Sequence, residues 1–250
     1  MFKLTDIRRY YLYRGLIKRI VVPIVFIYFL ANGLSLVQIG YIIAISTIIG
    51  IILEVPSGAI ADILGHKRTL ITSSLLQGLS MLLFIILPGF YGMLIAATVY
   101  WGAGTLMTGT HDAFFYELLE KRKQTHLYKK YWGRAFAVAN GMGVIFLSIS
   151  SLLYTIHPYI PFAVGVLQFV LSAYFIHSIK DGSDTHSVEK EEGFSQFWVG
   201  VKKNKHLLSP RHPFFWVALY QASFFGIIFA IAEYHQLFLE EMGFLIIYLG

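Results

Sequence analysis

Residues 58–68, GAIADILGHKR, sit between two apolar runs, each at about 20 residues long enough to cross a bilayer. The stretch places Asp62 between Gly58 and Gly65 and follows Gly65 directly with His66, Lys67 and Arg68. Glycine tolerates the backbone angles of a sharp turn, so the pattern predicts that one helix ends near Gly58, turns, and restarts after Gly65. The flanking runs, from about Val37 to Pro56 and from Thr69 to Leu87, then read as two helices crossing lipid in opposite directions.

Working outward, the same reading gives five more spans. They run from about Leu12 or Gly15 to Asn32, Tyr91 to Leu118, Gly133 to Thr155, Tyr159 to Ile179 and Phe214 to Phe238. Of the 250 residues, 56% are hydrophobic and 14% charged, where a soluble domain carries roughly 25% charged. No small-residue cleavage site follows the first run, so it is not a removable signal. The absence of cysteine excludes disulfides, thiolate metal sites and cysteine nucleophiles.

Charge fixes the expected orientation. All 20 Lys and Arg fall in four groups: six up to Arg19, two at Lys67 and Arg68, six from Lys121 to Arg134 and six from Lys180 to Arg211. The connections at 33–36, 88–90 and 157–158 carry none. By the positive-inside rule the basic groups, and with them the N-terminus, lie in the cytoplasm. The net charge of +6 therefore signals membrane topology rather than nucleic acid. In the central loop, Phe194, Phe197, Trp198 and Val201 follow helical spacing beside Lys202, Lys203 and Lys205, which predicts an interfacial amphipathic helix.

Gly58, Asp62, Gly65, His66, Lys67 and Arg68 between the second and third spans resemble the gating-loop motif of major facilitator superfamily transporters. LEVPSG (53–58), GLSLVQIG (33–40) and TGTHDAFFYELL (108–119) are similar to that family too. The resemblance implies an all-α membrane protein built as two six-helix halves. It also implies a charge relay in which Asp62, the residue at 66 and an acid at the end of the fourth helix, here Glu117, latch the halves together. His66 stands where the family has arginine, so either the relay is sensitive to pH near neutrality or Lys67 or Arg68 takes over the pairing and His66 is a bystander.

The expected organisation is a six-helix N-terminal domain at 1–179, a cytoplasmic central loop at 180–212, and a seventh helix opening a truncated C-terminal domain at 213–250. FLEEMGFLIIYLG (238–250) echoes FLANGLSLVQIG (29–40), as parallel halves would. The latch's partner in a second half is missing from the sequence. A homodimer, a separately encoded second half or a chain continuing past Gly250 would have to supply it.

Acids within spans are costly and by default face a cavity or a partner. Glu54 and Asp112, with Arg14, Lys18 and Arg19 at similar depth, form a candidate charge or proton site. His111 and Tyr116 flank Asp112, but that face offers too few ligands for a metal. Glu233 lies beside His235 near the far end of the seventh span. Gly102, Gly104, Gly109, Gly141 and Gly143 suit either helix sliding or close packing. No phosphate-binding glycine loop, zinc pair or nucleophile elbow is present, so no enzyme or cofactor is expected.

The functional expectation is a secondary transporter of a small solute in a bacterial plasma membrane, working by alternating access. Proton-coupled efflux is one form of it. The alternative is a non-transporting half-transporter or membrane scaffold.

Overall fold

The structure, a computed structural model, describes residues 2–179 and, further on, 209–213, 215–217, 219–221, 223, 224, 228 and 242. The predicted amphipathic helix, the echo at 238–250, Glu233 and His235 lie outside the described residues, as does most of the seventh span. The described part of 213–228 is helical.

Among residues 2–179, eight α-helices make up the bundle: α1 (Phe2–Leu16), α2 (Val25–Ala31), α3 (Leu36–Leu64), α4 (His66–Ile86), α5 (Phe90–Thr105), α6 (Thr110–Glu120), α7 (Tyr128–Ile156) and α8 (Ile160–His177). A 3-10 turn at Thr125–Leu127 precedes α7, and no strand occurs among the described residues. Among the described residues, five segments are long and apolar enough to cross a membrane: Leu36–Glu54, His66–Ile86, Phe90–Glu120, Thr125–Ile156 and Ile160–His177.

The first predicted span is corrected by the structure. It is not one helix, because α1 stops at Leu16 and α2 starts only at Val25. Pro23 has no N–H to donate and pushes Val22 away from helical geometry, which breaks the run without lowering its hydropathy. The fourth span is likewise broken between Thr105 and Thr110, where Gly109 takes φ 74°.

The turn in GAIADILGHKR is also tighter than expected. Helix α3 runs through Pro56 and Gly58 to Leu64, so Gly58 does not end it. Ser57 Oγ donates to Glu54 O at 2.7 Å just beyond the proline. Gly65 alone, at φ 83° and ψ 143°, separates α3 from α4. At its other end α3 opens with a capping box, Ser35 Oγ accepting from Gln38 N and Gln38 Oε1 accepting from Ser35 N.

Helix α4 packs on α8 and α5, α3 on α5, and α1 on α7 and α8. A Cβ on Gly165 of α8 would lie 3.1 Å from Met81 Cγ of α4, the close small-residue approach that packs helices in lipid. Ser73 Oγ donates to Ala103 O at 2.6 Å and Ser80 Oγ to Ala96 O at 2.9 Å, tying α4 to α5. One apolar cluster gathers Ile24, Phe26, Tyr28, Phe84, Phe162 and Phe169, and another gathers Ile7, Tyr10, Phe114, Phe115, Leu118 and Ile176. On the outside Ile51 and Ile52 are 65% and 63% exposed, a surface suited to hydrocarbon rather than water.

Candidate functional site

The one-residue turn at Gly65 places His66 at the start of α4, facing the last turn of α6. His66 Nδ1 lies 2.7 Å from Glu117 Oε1, with the two side chains 21% and 39% exposed. An ionised carboxylate can only accept, so Nδ1 carries the proton and donates. Two members of the expected relay therefore meet. The third does not: Asp62 is exposed on the last turn of α3 and forms no ion pair with the described residues.

Lys67 turns away from Glu117, and its Nζ donates to Ile179 O at 2.6 Å, beyond the end of α8. Arg9 of α1 reaches the same region, donating to Ser178 O at 2.7 Å and pairing with Asp6 at 3.2 Å. Asp6 also takes Arg122, from beyond α6, at 2.5 Å. Four elements thus converge on one charged rim: the starts of α1 and α4 and the ends of α6 and α8.

The second expected cluster is dispersed. Glu54 is exposed on α3, and no ion pair joins it to Arg14, Lys18 or Arg19 among the described residues. Lys18 Nζ instead donates to Asn140 Oδ1 of α7 at 3.2 Å, and Gln168 Nε2 of α8 donates to Lys18 O at 2.8 Å. Arg19 turns the opposite way and stacks on Tyr100 and Trp101 of α5, at 4.9 and 4.7 Å from the ring centres. Asp112 accepts from Trp132 Nε1 at 2.9 Å, one turn into α6. Beside it Tyr10 donates to His111 O at 3.0 Å, and burial pushes that phenol well above its usual pKa, so it stays a donor.

A break in hydropathy would not have revealed Asp6, Arg122, Asn140 or Trp132. Gln168 could have been found, because an amide inside an apolar span points inward to a partner. No group of three or more metal-ligating His, Asp or Glu occurs among the described residues.

The model of the Major Facilitator Superfamily matches residues 11–250. The chain belongs to that superfamily. A relative within it is an uncharacterized MFS-type transporter of Bacillus subtilis (strain 168), YxaM, 24% identical over 248 residues. The match covers 92% of this chain and 57% of that protein, so the chain spans little more than half the length of its relative. No solved structure matches significantly. The broken first and fourth spans, the charged rim and the lipid-suited exterior are accordingly features of a multi-pass membrane protein of the major facilitator type.

Proposed function

We propose that the chain is a working part of a secondary transporter that moves a small solute by alternating access across a bacterial plasma membrane, together with a second helical bundle. The basic groups of the loops and the N-terminus lie in the cytoplasm, and the charged rim closes that side. The observation that carries this reading is the 2.7 Å contact between His66 and Glu117, which joins the start of α4 to the end of α6. Closing that contact holds two helices in one arrangement, and opening it frees them to move.

Protonation sets its strength. As imidazolium, His66 offers Glu117 an opposite charge. Neutral, it offers a hydrogen bond alone, so the contact is weaker without the second ring proton. Arginine keeps its charge throughout. Asp112, held by Trp132, is the candidate for proton uptake in coupled efflux.

Proteoliposomes offered a panel of radiolabelled organic acids, amino acids and sugars test this. Uptake above protein-free vesicles is expected for at least one class, with a pH dependence that His66→Arg flattens. A profile unchanged in His66→Arg removes the pH latch. Flux indifferent to an imposed proton gradient removes Asp112 from coupling. No flux of any class favours a non-transporting scaffold.

A further inference from the structure

The broken backbone between α1 and α2 carries Arg19 into a cleft among α2, α3, α4 and α5. Phe26, Phe29, Met81 and Phe84 line the cleft with hydrocarbon and ring faces. Arg19 is the one charged residue among the described residues that line it. Ion pairs elsewhere join Asp6 to Arg9 and Arg122, and His66 to Glu117; none among the described residues takes Arg19.

A cation among apolar side chains at membrane depth is costly and calls for a partner. The rings of Tyr100 and Trp101 offset part of that cost by meeting the guanidinium within cation–π distance. They are π-faces and take up no N–H in a conventional hydrogen bond. The planar fork of N–H donors matches the two oxygens of a carboxylate. The backbone gives an independent reason to look here. Irregular backbone at membrane depth is tolerated where it is buried in protein or lines a cavity, and discontinuous helices are a recurring way to build midplane sites.

We propose that this cleft binds an organic anion, a carboxylate on a small aromatic body, with the carboxylate on the Arg19 fork and the body against Phe26, Phe29, Met81 and Phe84. The inference rests on the transporter reading and narrows it to a substrate class. An anionic lipid headgroup offers the same oxygens, so the experiment separates the two sources.

The probes are para-trifluoromethylbenzoate and the matching neutral benzamide, followed by fluorine NMR with the full chain in phosphatidylcholine nanodiscs, empty discs giving the background. The carboxylate is expected to bind about tenfold or more tighter than the amide, since hydrogen bonds to charged groups are the stronger ones. Arg19→Gln should bring the two within about twofold, while Arg19→Lys keeps part of the preference. Equal binding of acid and amide by the unaltered chain overturns the proposal, and needs no variant to fold. So does a preference that survives in Arg19→Gln protein of unchanged size-exclusion profile. Replacing half the lipid with phosphatidylglycerol should leave benzoate binding intact; its loss assigns Arg19 to a lipid headgroup instead. Binding without flux into sealed vesicles would sink the transporter reading and keep the cleft, whereas absent binding sinks the cleft whatever the flux.

Discussion

Replacing Asp6 with alanine is expected to destabilise the bundle by about 3 kcal/mol, the lower end of the cost of removing one partner from a buried ion pair. The carboxylate is 12% exposed and the Arg122 guanidinium 11%, so neither charge has water to replace the other. Asp6 holds two guanidiniums at once, Arg122 at 2.5 Å and Arg9 at 3.2 Å. Arg9 in turn donates to Ser178 O, so the loss is felt at the ends of α6 and α8 as well as at the start of α1. Thermal unfolding in detergent, followed by tryptophan fluorescence, reads the effect. Because the partners touch, Asp6→Ala and Arg122→Leu should be non-additive, the double variant costing about 1 to 3 kcal/mol less than the sum. A loss under about 1 kcal/mol for Asp6→Ala would mean the rim is solvated like an ordinary surface pair.

Gly65→Val is expected to cost about 1 to 3 kcal/mol, the range for a backbone held in a region that is nearly glycine-only. Space is not the reason, since a Cβ at this position meets nothing within 4 Å. The cost comes from φ 83° with ψ 143°, where a β-branched residue is an outlier. Relaxing to ordinary angles re-aims α4 at its first residue, which carries His66 away from Glu117. The variant should therefore lose the latch as well as stability. Proton NMR of the His66 ring makes this visible: Glu117→Gln should move its ring resonances in the parent and leave them unmoved in Gly65→Val. A shift of the same size in both backgrounds would show that the turn does not position the latch.

Hydropathy made α4 and α8 legible nearly to their ends, because it reports where lipid meets the chain. It says nothing of the backbone's path, so the breaks at Ile17–Ile24 and Leu106–Gly109 were invisible inside continuous apolar runs. Pro23 was the available signal for the first. Gly58 misled for the opposite reason: glycine permits a turn without requiring one, and Pro56 in lipid can be carried within a helix. The His66–Glu117 contact was legible through the family motif, whereas Asp6 and Arg122 are 116 positions apart with no pattern joining them. Arg19 was placed with acids by depth alone, and depth cannot tell which way a side chain turns out of an irregular segment.

The central claim is that the spans alternate across the membrane, with the basic groups of the loops on one face. The chain has no cysteine, so single-cysteine variants report without background. Ser35→Cys, Pro88→Cys and Pro158→Cys should react with a membrane-impermeant maleimide on intact spheroplasts. Arg68→Cys and Lys129→Cys should react only after permeabilisation. Labelling of Arg68→Cys or Lys129→Cys from outside, or protection of Ser35→Cys, Pro88→Cys or Pro158→Cys, would contradict the account.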